Sequence, residues 1–169
     1  MRTRRVTLTL ALALAAGVAP AQPGRGTAEL SVGGKQVSVD YGRPSLQGRD
    51  MLSKAPPGFV WRVGANQATV LASAGELVFG EKTLPKGSYS LFARRVDDSR
   101  WELILNEQTG QWGTQRDPEQ DALTVPLEWT KQDASAEIFT IALEPEGDAG
   151  ATFRLIWGTD VLATTFQVR

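Results

Sequence analysis

The stretch AELSVGGKQVSVDY, residues 28–41, consists of two short runs in which apolar and polar residues alternate, joined across Gly33-Gly34. A period of two puts every second side chain on one face of an extended strand, and paired glycines supply the positive φ angles of a tight hairpin turn. The stretch predicts a β-hairpin, and the same pattern continues along the chain. Further strand-like runs occupy 68–74, 76–79, 87–94, 101–106, 122–129, 137–143, 151–157 and 161–168. Trp101, Leu103 and Leu105 share one face, as do Leu123, Val125, Leu127 and Trp129, then Phe139, Ile141 and Leu143, then Phe153, Leu155 and Trp157. Glu102, Thr124, Glu128, Thr140, Thr152 and Arg154 fall on the opposite faces. One apolar and one polar face is the signature of antiparallel sheets wetted on one side. Gly80-Glu81-Lys82, Pro85-Lys86-Gly87, Asp97-Asp98-Ser99 and Gly158-Thr159-Asp160 carry turn chemistry. No stretch keeps helical spacing over three turns, and Gly48 to Lys54 is the best short-helix candidate. The expected fold is all-β: a two-sheet antiparallel β-sandwich of about eight to ten strands with two long loops.

Those loops are 42–67 and 107–121. Long loops in a compact domain are uncommon and often functional. Residues 41–67 read YGRPSLQGRDMLSKAPPGFVWRVGANQ and hold Tyr41, Arg43, Arg49, Trp61, Arg62 and Asn66. A guanidinium is a planar, permanently charged fork that grips carboxylate or phosphate at two points and stacks on aromatic rings. Residues 105–118 read LNEQTGQWGTQRDP, with Asn106 at a strand end and Trp112 between Gly110 and Gly113. Trp112 reads as a lid packed on the sheet, or else as a stacking platform. The candidate ligand-binding set is Tyr41, Arg43, Arg49, Trp61, Arg62, Asn66, Asn106 and Trp112, with the two loops meeting at one end of the sandwich. A small anionic or carbohydrate-like ligand is the expected content. The competing reading pairs the arginines with Asp40, Asp50 or other carboxylates, which would pin the loop. Trp101, Trp129 and Trp157 lie on apolar faces and read as core.

The chain has no histidine and no cysteine. This excludes Ser-His-Asp and Cys-His catalysis, histidine-based zinc or iron sites, and stabilisation by disulfides. Ser53-Lys54 lacks the spacing of a Ser-x-x-Lys nucleophile, and Asp117, Glu119 and Asp121 match no calcium loop. No metal or cofactor is expected. The enzymatic alternative is a hydrolase or isomerase with Asp40 or Asp50 as base and arginines as electrostatic clamps. A third reading places function at a sheet edge that adds a partner strand.

Residues 1–21 have the layout of a signal peptide: Arg2, Arg4 and Arg5, an apolar run from Val6 to Val18, then Ala19-Pro20-Ala21. The expected organisation is a cleaved signal at 1–21, a flexible leader at 22–27 and one domain at 28–169. The protein would be exported to the periplasm or beyond, by the general or the twin-arginine route. No cysteine follows the run, so no membrane anchor is expected after cleavage. Losing 21 of 169 residues leaves 148; Lys+Arg falls from 18 to 15 against 19 Asp+Glu, a net charge of −4. That balance argues against nucleic acid as a partner.

Four motifs in order carry a likeness: Y-G-R-P-S-x-x-G-R (41–49), V-W-R-V-G-A-N-Q-A-T (60–69), L-P-K-G-S-Y-S-L-F (84–92) and L-N-x-x-T-G-Q-W-G-T (105–114). Over roughly Leu30 to Val168 the chain resembles the bacterial exported family catalogued as domain of unknown function 2911. The resemblance implies a secreted or envelope β-rich domain and no particular reaction. Its motif positions here include Tyr41, Arg43, Pro44, Gly48, Arg49, Trp61, Arg62, Gly64, Ala65, Asn66, Thr69, Asn106, Gly110, Trp112 and Gly113.

Overall fold

A computed structural model describes residues 24–169; the expected signal peptide lies outside the described residues. Ten strands follow in order: β1 (Arg25–Val32), β2 (Lys35–Gly42), β3 (Val60–Trp61), β4 (Thr69–Ser73), β5 (Leu77–Phe79), β6 (Lys82–Leu84), β7 (Gly87–Arg95), β8 (Trp101–Asn106), β9 (Asp121–Glu146) and β10 (Gly150–Val168). A single 3-10 turn, Pro118–Gln120, is the helical content of the described residues, and none of their helices is long and apolar enough to cross a membrane. The protein is all-β, and every strand pair is antiparallel.

The opening hairpin forms as its sequence requires. β1 and β2 pair from Arg25↔Gly42 to Val32↔Lys35. Gly33 and Gly34 have φ of 56° and 75°, both positive as a two-residue hairpin turn of matching twist demands. β1 starts at Arg25, so the last residues of the expected flexible leader belong to the sheet. The cause is pairing that a search for alternation does not register. Arg25 is ion-paired with Asp40, and the Arg43 amide donates to the Gly24 carbonyl at 2.8 Å.

The strand order is β1-β2-β4-β7-β8-β9-β10-β5-β6, with β3 paired on β7. The four runs expected at 122–129, 137–143, 151–157 and 161–168 are two long strands, β9 and β10. Gly158-Thr159-Asp160 is therefore not a turn between strands. Gly158, at φ 63°, sits where the β9–β10 register shifts, which makes it a bulge. Pairing on both sides to one partner strand outweighs the local turn preference. Residues 121–127 of β9 pair with β8, and from Glu128 onward the strand pairs with β10. β9 thus belongs to both halves of the sandwich and joins them into one continuous ladder.

The halves face each other across an aromatic core. Trp61 on β3 lies nearly parallel to Trp157 on β10, ring centres 5.7 Å apart, and meets Phe139 on β9 edge-on at 4.9 Å. Tyr41 on β2 meets Phe139 edge-on at 5.6 Å. Val37, Val39, Leu71, Leu91, Leu103, Leu105, Ile141, Phe153 and Leu155 fill the rest. Each such burial contributes about 1.5–3 kcal/mol, and with no disulfide this core must supply most of the stability.

Segment 43–67 is fastened at both ends. Residues 44–47 run along the flank of β9: Phe139 donates to the Pro44 carbonyl at 3.0 Å, and Leu46 donates to that of Glu137 at 2.7 Å. The short helix considered for Gly48–Lys54 is a set of turns. The Asp50 carboxylate accepts from the Ser53 amide at 3.1 Å, a local bond that competes with helix formation. Buried Arg95 holds this stretch by donating to the carbonyls of Leu52, Ser53, Asp97 and Asp98 at 2.9–3.1 Å. Its guanidinium lies 4.7 Å from the Trp129 ring centre and 5.8 Å from that of Trp101. Buried Asp160 accepts from Trp129 Nε1 at 2.6 Å and Ser53 Oγ at 3.0 Å, and pairs with Lys131 at 2.6 Å. Neither anchor announces itself in the sequence, because their hydrogen-bond and ion-pair partners are main-chain carbonyls and side chains 29 or more positions away.

Candidate functional site

The two long loops meet. Gln67 and Trp112 bridge as an isolated antiparallel pair, Ala68 donates to the Gln111 carbonyl at 3.0 Å, and Gly113 donates to that of Asn66 at 2.8 Å. Beneath the junction lies a cleft of about 470 Å³, within the usual range for small-ligand sites, roughly 300–1,000 Å³. The first loop contributes Pro44, Arg49, Met51, Phe59 and Arg62; the second contributes Gly113, Thr114 and Arg116. Trp61, Phe92 and Trp157 line it from the strands.

Backbone contacts set the position of Arg62. A Cβ on Gly42 would lie 2.2 Å from the Ala65 carbonyl oxygen, so the end of β2 and the 63–66 turn touch main chain to main chain. Val63 has φ 50°, a genuine outlier for a β-branched residue. It is held there by full burial and by a hydrogen bond from Thr69 Oγ1 to its carbonyl. On the other side, a Cβ at Gly113 would lie 3.0 Å from both the Arg62 Cδ and the Asn66 carbonyl. Glycine at 113 leaves room for the Arg62 stem to lie close across the second loop.

The three arginines of the cleft differ in what they already bind. Arg49 donates from Nε to the Leu46 carbonyl and from a terminal nitrogen to that of Ser45, both at 3.1 Å. Arg116 is ion-paired with Asp121 and lies 5.7 Å from the Phe92 ring centre. Arg62 has no hydrogen-bond or ion-pair partner among the described residues. No carboxylate lines the cleft. Trp157 also borders a smaller neighbouring pocket with Arg49, Asp50 and Asp160, and its buried Nε1 has no acceptor.

Of the eight residues expected at the site, Arg49, Trp61 and Arg62 line the cleft. Tyr41 is buried in the core. Arg43 is exposed and runs over Gly26, outside the cleft. Asn66 is exposed and meets the second loop through its carbonyl. Asn106 is fully buried: its Nδ2 donates to the Asp117 carbonyl at 2.7 Å and to Asp121 at 2.8 Å, and its Oδ1 accepts from the Gln108 amide. It ties down the second loop and faces no cleft. Trp112 is 47 % exposed, which overturns its reading as a packed lid. The loop crosses Gln67 through main chain, and this turns the indole outward.

Arg116, Met51, Phe59, Phe92 and Trp157 were not expected at the site. Arg116 stood inside the second loop, where a basic residue near Trp112 was a usable signal. Trp157 lies on an apolar strand face, as core residues do, and is both core and cleft wall. The carboxylates named as loop partners serve elsewhere: Asp40 pairs with Arg25, and Asp50 binds the Ser53 amide. Neither lines the cleft, so the expected carboxylate base is not among the cleft arginines. No group of three acidic side chains suited to a metal occurs among the described residues. Asp117 instead caps the 3-10 turn; the Gln120 side chain and then the Glu119 amide hold its carboxyl below the usual range.

No curated protein and no solved structure matches the chain. A family described as a protein of unknown function, DUF2911, matches residues 24–166, a span that includes every residue lining the cleft. The chain belongs to the DUF2911 family.

Proposed function

We propose that this protein is an exported, non-catalytic binding module that captures a small anionic ligand in the Arg49–Arg62–Arg116 cleft. The observation that carries the reading is three arginines lining one cleft whose lining holds no carboxylate. Such a cleft has a positive potential, and its apolar walls weaken the screening by water. Sugar hydroxyls need acceptors as well as donors, and Thr114 is the lone side-chain oxygen in the lining, so an anion suits the cleft better than a carbohydrate. An acid-base enzyme would need a proton acceptor among these arginines, and the lining offers none. Binding through a sheet edge has little to rest on at β6, which is three residues long with its Lys82 tied to the Thr124 carbonyl at 2.7 Å; the other edge, β1, is eight residues long. Export rests on the N-terminal sequence pattern, and sequencing the mature N-terminus tests it. A start at Met1 would end that part of the proposal.

A thermal-shift screen against small anions tests the binding. A ligand at 100 times its Kd stabilises the native state by about 2.7 kcal/mol, equivalent to about 5–11 °C in a domain of this size. Hits should weaken in Arg62→Gln and Arg49→Gln and as salt rises. If no anion raises the melting temperature, or if hits ignore both substitutions, the cleft is not the site.

A further inference from the structure

We infer that Arg62 is the recognition cation of this cleft and that the ligand is an amphipathic monoanion: one carboxylate on a flat apolar body. The inference rests on the anion-binding reading above and narrows it to a class. Three guanidinium groups would suggest a multiply charged ligand, but two are already committed. Arg49 spends donors on the carbonyls of Ser45 and Leu46, and the charge of Arg116 is balanced by Asp121. Arg62 alone keeps its whole planar fork, on a stem held across Gly113. A carboxylate matches that fork at two points. A second anionic group on the ligand would find Arg116 balanced by Asp121 and Arg49 with part of its fork already bonded to carbonyls.

The rest of the cleft asks for apolar matter. Trp61 and Trp157 lie nearly parallel, 13° apart, against it, and Met51, Phe59 and Phe92 complete the wall. Flat rings gain most against such surfaces. An aryl or arylalkyl carboxylate has both parts.

Calorimetry at low salt, with tryptophan fluorescence, would use 3-phenylpropionate, its neutral amide, succinate and inorganic phosphate as probes. The proteins would be the unmodified chain, Arg62→Gln, Arg62→Lys and Arg43→Gln, the last lying outside the cleft. Phenylpropionate should bind, and the amide should bind at least about tenfold more weakly. Arg62→Gln should cost at least about tenfold, Arg62→Lys should fall between, and Arg43→Gln should stay within about twofold. Arg62→Lys keeps the charge, so the test stands even if Arg62→Gln folds poorly. If succinate or phosphate binds more tightly than phenylpropionate and Arg62→Gln abolishes it, the anion site survives and the monoanion class is wrong. If no probe binds in a manner sensitive to Arg62, both readings fall.

Discussion

Replacing Gly42 with alanine tests whether the close approach of β2 to the 63–66 turn places Arg62. The new methyl would lie 2.2 Å from the Ala65 carbonyl oxygen, 2.7 Å from its nitrogen and 2.9 Å from its carbonyl carbon. All three are main-chain atoms, so no rotamer change relieves the overlap. Gly42 does not have a positive φ, so the effect is steric overlap and not backbone strain. Alanine narrows the unfolded ensemble and by itself would stabilise by about 0.4–1 kcal/mol. Against this, forcing a methyl into packed structure costs about 1–3 kcal/mol. Displacing the turn also loosens fully buried Val63 and its hydrogen bond from Thr69, a further loss of about 1 kcal/mol. The net is about 1–3.6 kcal/mol, or a fall of about 2–14 °C in melting temperature for a domain of this size. Thermal melts by circular dichroism and urea unfolding by tryptophan fluorescence would measure it. Gly26→Ala is the control: its methyl meets the Arg43 Cδ at 2.5 Å, but that is an exposed side chain free to swing away. A Gly42→Ala protein melting within about 2 °C of the parent would refute the reasoning. So would a Gly26→Ala loss of equal size.

Three further outcomes follow from the same geometry. Arg95→Lys cannot reach four carbonyls at once or stack between two tryptophans, so urea unfolding should show a loss of about 2–4 kcal/mol. Asp97 accepts from the Ser99 amide and from Arg100, and these bonds lower its carboxyl from 3.8 to about 2. Because the folded value lies below the unfolded one, the turn's contribution is complete above the ordinary carboxylate range and is lost as pH falls towards 2. A carboxyl NMR titration with a midpoint near 4 would contradict the 97–100 turn geometry. Trp112→Ala removes a largely exposed side chain that lines no cleft, so stability should change by less than about 0.5 kcal/mol and anion binding should be unaffected.

Much of the fold could be read locally. Alternation at 28–41 with Gly33-Gly34 specified a hairpin, because both the period of two and the positive φ are properties of a few adjacent residues. The same holds for the shared faces of Trp101, Leu103 and Leu105, and of Phe153, Leu155 and Trp157, all buried as their alternation required. Strand ends were legible only where a turn truly reverses the chain. Gly158 has turn chemistry, yet it lies within β10, because whether a glycine turns or bulges depends on the strand paired across from it.

The site divides along the same line. Residue chemistry pointed to two loops rich in arginine and tryptophan, and those loops do meet. Which arginines share a cleft could not be read from spacing, because it depends on contacts between distant backbones. Gly42 against Ala65, and Gly113 beneath Arg62, turn Arg62 into the cleft, while Arg43, at the start of the same loop, stays outside. Tyr41 and Asn106 carry chemistry suited to a site and are taken up by core packing and loop anchoring. By itself the sequence determined the all-β class, the hairpin and the absence of histidine and cysteine chemistry, since each depends on local pattern or composition. The tertiary structure alone decided that Arg62 keeps an uncommitted guanidinium while Arg49 and Arg116 do not, because that depends on which distant carbonyls and carboxylates the fold brings within reach of each.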